Sequence, residues 1–255
     1  MLKQLYVVYF SPTGGTRRAA LLLAQGLASQ IEEIDLSLPQ TASRHFGPQD
    51  MLLFAGPVFG GRMPALFVQR LQQLQGANSP AVTVAVYGNR AYEDALLELN
   101  DCVQAQGFCP LASAALLAEH SMCRQVAAGR PNAQDAQEIA AFAGQILAKL
   151  AAANGQTLPA LTVPGHRPYR DWQPMPVVPQ VSADCLSCGD CARLCPTQAI
   201  AQDDPQRTDA QRCILCMRCV SICPQQARSL PAQAQAQLER KLSGLPANKE
   251  NEFFL

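Results

Sequence analysis

One twelve-residue pattern occurs twice near the end of this chain. Cys185-Leu186-Ser187-Cys188-Gly189-Asp190-Cys191-Ala192-Arg193-Leu194-Cys195-Pro196 returns 28 residues later as Cys213-Ile214-Leu215-Cys216-Met217-Arg218-Cys219-Val220-Ser221-Ile222-Cys223-Pro224. Each copy has the spacing C-x2-C-x2-C-x3-C-P. Three thiolates so spaced wrap one corner of an iron–sulfur cube, while the fourth reaches across to a second cube. On that rule Cys185, Cys188, Cys191 and Cys223 hold one 4Fe-4S cluster, and Cys213, Cys216, Cys219 and Cys195 hold the other. Gly189 keeps its loop small beside the sulfides, and Met217 fills the equivalent place in the second copy. Zinc also uses C-x2-C pairs, but it wants two pairs per tetrahedral site and has no use for a third cysteine three residues on. A disulfide framework suits a short secreted chain, not a cysteine-dense segment joined to a long cysteine-poor one.

The duplicated run resembles that of bacterial two-cluster ferredoxins, with all eight ligand positions present. The resemblance implies a small α+β ferredoxin-like domain over about residues 181–230, built as a pseudo-twofold pair of half-modules.

At 255 residues the chain is comfortable for two domains. Lys plus Arg equals Asp plus Glu, 20 against 20, so no field favours nucleic acid or an anionic surface. Free ferredoxins are often acidic; a balanced charge favours an internal electron partner. No apolar stretch approaches membrane-spanning length, and the first residues run straight into a Gly-rich loop with no cleavage-type region. Thiolate clusters without an export signal predict a cytoplasmic protein. Cys102, Cys109 and Cys123 fall outside the runs and are expected to be free, buried, small apolar residues.

The first 155 residues alternate apolar runs with helical patterns. Strands are expected at Leu5–Phe10, Ile31–Leu36, Met51–Ala55, Ala81–Tyr87 and about Leu111–Ala118. Helices are expected near Thr16–Ser29, Pro64–Leu74, Ala91–Gln106 and Ala133–Ala152, and Ser37–Gln49 is too irregular to assign. Five strands separated by helices predict an α/β, doubly wound, five-stranded parallel sheet, whose ligands bind beyond the carboxyl ends of the strands. Residues 156–180 carry six prolines and the single Trp172, a stiff Pro-rich linker that Trp172, Tyr169 and Val177–Val178 press onto one of the domains. A helix at about Ala232–Ser243 and a tail ending Phe253-Phe254-Leu255 make up residues 231–255, the tail docked against a surface the sequence does not name.

The loop after the first strand, Phe10-Ser11-Pro12-Thr13-Gly14-Gly15-Thr16, opens a helix. Backbone N–H groups at a helix start, with glycines permitting a tight turn, cradle an anion. Ser11, Thr13 and Thr16 add hydroxyl donors. The loop is neither a Walker A motif nor G-x-G-x-x-G. It is similar to the flavodoxin signature, whose S-x-T-G-x-T loop holds the FMN phosphate, with Gly15 where flavodoxins usually have Asn. Two further loops fall at the same sheet edge: Gly56–Pro64 after the third strand and Tyr87–Leu96 after the fourth. The resemblance implies a flavodoxin-like FMN-binding domain over residues 1–155. In it Ser11, Thr13, Gly14, Gly15 and Thr16 hold the phosphate, and Pro57, Val58, Phe59, Gly60 and Gly61 flank the isoalloxazine ring. The Gly60–Gly61 peptide can turn its carbonyl towards N5, since glycine permits both orientations. Tyr92 or Tyr87 covers the other face, and Gly88, Asn89 and Arg90 of the same loop are expected at the cofactor; Phe59 and Tyr87 also read as core packing at strand ends. The whole chain resembles the flavodoxin–ferredoxin fusion proteins.

His120, just past the fifth strand, is the one candidate for proton donation or for a hydrogen bond to the flavin or a cluster sulfide; a structural histidine at a strand end is the competing reading. His45 and His166 read as surface residues. The expected function is single-electron transfer between two 4Fe-4S clusters and FMN, with a redox protein as donor or acceptor and no nucleic-acid partner. An FMN-dependent reductase with a substrate pocket over the flavin is the enzymatic alternative, and a redox-responsive binding module a third. Catalytic residues, flow direction and oligomeric state stay open at this level.

Overall fold

The computed structural model describes residues 1–39, 42–153, 161–245 and 249–255. The chain begins β1 (Leu2–Tyr9), α1 (Gly15–Leu27), β2 (Ala28–Asp35), β3 (Arg44–Phe46) and β4 (Leu52–Pro57). It continues α2 (Ala65–Leu71), β5 (Leu74–Gly76), β6 (Ser79–Tyr87), α3 (Ala95–Ala105), β7 (Phe108–Leu117) and α4 (Ala133–Ala153). Five of these strands run parallel in the order β7-β6-β4-β1-β2. Counted along the chain, that is the 2-1-3-4-5 order of flavodoxin-like sheets. Val7, Val8, Leu52–Ala55 and Val82–Ala85 form continuous buried runs because helices cover both faces of the sheet; the one polar member, Thr83, is hydrogen-bonded to Asn100 and Ser113. Helices α1 and α4 pack Leu23, Leu27, Phe142 and Ile146 on one face; α2 and α3 pack Phe67, Leu71, Leu96 and Leu99 on the other.

Beyond the connector come β8 (Gln180–Val181), the single-turn helices α5 (Asp190–Arg193) and α6 (Arg218–Ser221), β9 (Arg228–Ser229), α7 (Ala232–Ser243) and β10 (Glu252–Phe254). β8 and β9 pair antiparallel and close the cysteine-rich module. Among the described residues no helix is long and apolar enough to cross a membrane.

Three expectations are corrected. The main sheet has six strands, not five, because β10 pairs antiparallel with the otherwise open edge of β7. Alternation sends Phe253 to one face, where its ring meets Phe142 at 4.7 Å, and Phe254 into the core on the other. Ser37–Gln49 is not wholly irregular, since β3 pairs parallel with β5 in a separate two-stranded ladder; β5 takes Leu74, expected at the end of a helix. Cys109 is exposed, not buried, whereas Cys123 is buried and Cys102 partly so.

The connector is held along α3. The Asp94 carboxylate accepts the backbone N–H of His166 at 2.9 Å and of Arg170 at 2.8 Å. Asp101 pairs with Arg167 at 2.8 and 2.5 Å and accepts the Tyr169 hydroxyl. The expected boundary between residues 155 and 156 lies outside the described residues.

Candidate redox centre

The sequence repeat is also a backbone repeat. Left-handed residues recur at the same offset: Ser187 and Leu215 (φ 51° and 52°), Gly189 and Met217 (79° and 63°), Gln198 and Gln226 (53° and 51°). In each half the Cys-Pro cysteine accepts a backbone N–H four residues on, Ala199 to Cys195 Sγ and Ala227 to Cys223 Sγ, both at 3.3 Å. Met217 therefore takes the turn that Gly189 offers freely, at a cost of about 1–2 kcal/mol for a residue with a Cβ. Its side chain offsets this by burial with Leu215 and Leu230.

Cys195, Cys213, Cys216 and Cys219 line one small cavity, about 360 Å³ including the open space at its mouth, so the cross-over cysteine of the first run stands among three of the second. Among the described residues no three His, Cys, Asp or Glu side chains converge where a single metal ion could sit. A ring of thiols around a cavity suits a cube better than mononuclear zinc. Burial pushes the Cys216 thiol up to about 12 and the Cys219 thiol to about 11, and neighbouring cysteines push the same way. Such thiols ionise only against a compensating centre, and a coordinating thiol is deprotonated outright. In the other quartet Cys185 and Cys191 are half-buried and Cys188 is exposed. Cys223 lines a separate groove shared with Gly14 and Arg228.

A second cavity, about 1390 Å³ including the open space at its mouth, lies beyond the carboxyl ends of β1, β4, β6 and β7. Thr13, Gly15, Thr16, Pro57, Val58, Phe59, Gly60, Tyr87, Gly88, Arg90 and His120 line it. Five expected residues do not. Ser11 turns its hydroxyl to the Arg17 N–H at 2.9 Å, and Gly14 faces the neighbouring groove. Gly61 backs onto Glu93 and Arg170. Asn89 accepts the Lys249 N–H at 3.2 Å, and buried Tyr92 donates to Glu252 at 2.7 Å, so both hold the tail. Phe59 and Arg62 exchange backbone hydrogen bonds of 2.9 and 3.1 Å across Gly60 and Gly61, whose φ of 59° and 89° is the doubly left-handed signature of a tight hairpin turn. A Cβ on Gly60 would overlap the Trp172 indole, so this glycine is a seat for the tryptophan.

The rest of the wall comes from the other half of the chain: Trp172–Met175, Ile214–Cys216, and Leu238, Lys241 and Leu242 of α7. Cys216 lines both this cavity and the four-cysteine cavity.

His120 Nδ1 accepts two backbone N–H groups, from Met122 and Cys123, each at 3.2 Å. That fixes the neutral tautomer with its proton on Nε2. Burial, reinforced by the Arg90 charge, lowers its pKa, so His120 is a neutral hydrogen-bond donor and not an imidazolium.

Two arginines clamp the halves together. Arg218, buried, donates through Nε to the Pro12 carbonyl at 3.1 Å and through Nη2 to the Ser11 carbonyl at 3.3 Å and Ser37 Oγ at 2.6 Å. Arg70 of α2 donates to the Leu36 carbonyl at 2.6 Å and to the Pro196 carbonyl of the first cysteine run at 2.7 Å. Burial lowers the Arg70 pKa and Asp35 opposes the shift.

Residues 171–228 match the family model described as a 4Fe-4S dicluster domain. The chain joins a flavodoxin-type fold to an iron–sulfur domain. A search of curated proteins found no match. Among solved structures, flavodoxin 1 from Bacillus cereus is 16% identical, covers 57% of this chain and 98% of its own, and superposes with a TM-score of 0.41. The Flv1 flavodiiron core from Synechocystis is 13% identical, with 59% and 36% covered and a TM-score of 0.42. Rubredoxin oxygen:oxidoreductase from the anaerobe Desulfovibrio gigas is 13% identical, with 60% and 37% covered and a TM-score of 0.40. Strand order, not these superpositions, makes the sheet flavodoxin-like.

Sequence reasoning missed Arg70, Arg218 and Asp94, and the contribution of α7 to the cavity. The first three read as ordinary helix-surface charges. The signal for Arg218 was its place inside a ligand run, where a free ferredoxin would leave it in water.

Proposed function

We propose that this chain is an electron-transfer iron–sulfur flavoprotein holding two 4Fe-4S clusters and one FMN. Cys195, Cys213, Cys216 and Cys219 hold the cluster next to the flavin, and Cys185, Cys188, Cys191 and Cys223 the distal one. Thr13, Gly15 and Thr16 receive the phosphate at the start of α1, and Pro57–Gly60 with Tyr87–Gly88 flank the ring. Bound there, the clusters exchange single electrons and the flavin one or two. The observation that carries the reading is that Cys216, with its neighbours Ile214 and Leu215, lines both cavities, so a ligand cysteine itself stands in the wall between cluster site and flavin site. His120 offers Nε2–H to the cavity. Trp172, Met175 and α7 limit the entry of water.

The reductase alternative needs open space above the ring. Trp172–Met175, with Leu238, Lys241 and Leu242, wall part of the cavity, which favours electron transfer.

Anaerobic purification with iron, sulfide and flavin analysis tests the reading. About eight irons and one FMN per chain are expected from the ligand count; a folded protein free of iron and flavin would overturn it.

A further inference from the structure

The chain is neutral overall, with 20 basic and 20 acidic residues, but the groove lined by Cys223 is not. It encloses about 1530 Å³ including the open space at its mouth. Among the described residues its charged lining is four arginines, Arg18, Arg124, Arg130 and Arg228, against the single carboxylate of Glu119. Arg18 comes from α1, Arg228 from β9, and the other three from the segment between β7 and α4. Both halves of the chain therefore contribute to one basic surface.

Two of the four cations are neutralised. Arg124 pairs with Glu119 at 2.6 Å, and Arg130 pairs with the buried Asp135. The other two meet only uncharged oxygens. Arg18 donates to the Pro131 carbonyl at 2.7 Å; Arg228 donates to Thr208 Oγ1 at 3.2 Å and to the Pro205 carbonyl. Such partners satisfy N–H groups and leave the charge whole. Arg228 is only 3% exposed, so salt screens its field less than that of a surface arginine. A cleft lined by one sign of charge focuses its field at the mouth and draws in partners of the opposite sign.

We propose that this groove docks an acidic one-electron donor protein, which passes its electron to the cluster held by Cys185, Cys188, Cys191 and Cys223. The proposal rests on the two-cluster reading above and names where the donor of that reading binds. Cys223 stands in the groove wall, so a protein seated there has one ligand of the distal cluster at its contact surface. One electron leaves the donor's reduced centre and enters that cluster; no bond forms or breaks. Charge complementarity selects an acidic donor and sets the rate of encounter.

The test is anaerobic stopped-flow reduction of the full-length holoprotein by a reduced acidic ferredoxin, with bleaching of the cluster band as readout. Wild type is compared with Arg18→Glu, Arg124→Glu and Leu186→Glu, all matched for iron and flavin. At low salt the two arginine reversals should each slow the second-order rate by about tenfold or more, and added salt should close the gap. Reduced methyl viologen, a small cation, should reduce wild type and both reversals at similar rates, which shows that their clusters remain competent. Unchanged rates with the ferredoxin would overturn the proposal. So would slowing by Leu186→Glu alone, since Leu186 is 72% exposed between Cys185 and Cys188 and marks a different face. Tight binding of inorganic pyrophosphate with no effect on the ferredoxin's rate would make the groove a small-anion site and overturn the docking as well. Iron analysis separates the two readings: wild type lacking two clusters overturns the underlying one, whereas iron-replete reversals at wild-type rates count against the groove alone.

Discussion

Arg218, flanked by the run cysteines Cys216 and Cys219, donates through Nε to the carbonyl of Pro12 at 3.1 Å. The cysteine-rich module is thus bonded to the backbone of the loop that opens α1. A charged donor serving carbonyls out of solvent is worth about 1.5–3 kcal/mol. Arg218→Ala is expected to lower stability by about that amount and to make the connector at Arg167–Gln173 more open to protease. Urea unfolding and limited proteolysis check it; unchanged midpoints and cleavage patterns would show that the clamp contributes little.

Asn251 ties the tail to the sheet. Its Oδ1 accepts the Leu117 N–H at 2.9 Å and its Nδ2 donates to Asp135 at 2.7 Å and Glu138 at 2.8 Å. Asn251→Ala leaves a buried N–H and a buried carboxylate short of partners, a loss of about 2–3 kcal/mol. Amide exchange should accelerate along Ser113–Leu117, where β10 pairs, and stay unchanged along β1.

Gly60 and Trp172 form a pair for a double-mutant cycle. Gly60→Ala incurs a left-handed backbone cost of about 1–2 kcal/mol and, in addition, collides with the indole. In a Trp172→Ala background the collision disappears and only the backbone cost remains, so the effects on stability and on flavin potential should be strongly non-additive. Additive effects would place Trp172 elsewhere.

His120 predicts an acid-side loss of stability. Its folded pKa lies below the ordinary value of about 6.5, so between the two the unfolded chain binds the extra proton. Stability then rises with pH up to about 6.5 and gains nothing further from this group above it. The wild-type minus His120→Asn difference in unfolding free energy should shrink as pH falls through that range. A difference independent of pH would mean that His120 titrates normally.

Much of this architecture can be read from local patterns. Val7–Val8, Leu52–Ala55 and Val82–Ala85 announce buried parallel strands because two-sided burial leaves a continuous apolar run. The ligand runs announce their chemistry because thiolate spacing is tied to cube geometry. The tail escaped because a three-residue strand has no periodicity to detect and pairs with residues more than 130 positions away. For the same reason the sequence places Asn89 and Tyr92 with the flavin: being in a loop after β6 does not reveal that Lys249 and Glu252 bond their polar atoms. Arg70 and Arg218 look like surface charges until the two modules meet.

The central claim is that Cys216 stands between cluster site and flavin site. Stopped-flow reduction by a one-electron protein donor, monitored in the flavin band, tests it in wild-type, Cys216→Ala and Cys188→Ala chains matched for flavin content. Flavin reduction slowed sharply in Cys216→Ala, with flavin retained, is the predicted result. Flavin reduced as fast in Cys216→Ala as in wild type would contradict the account.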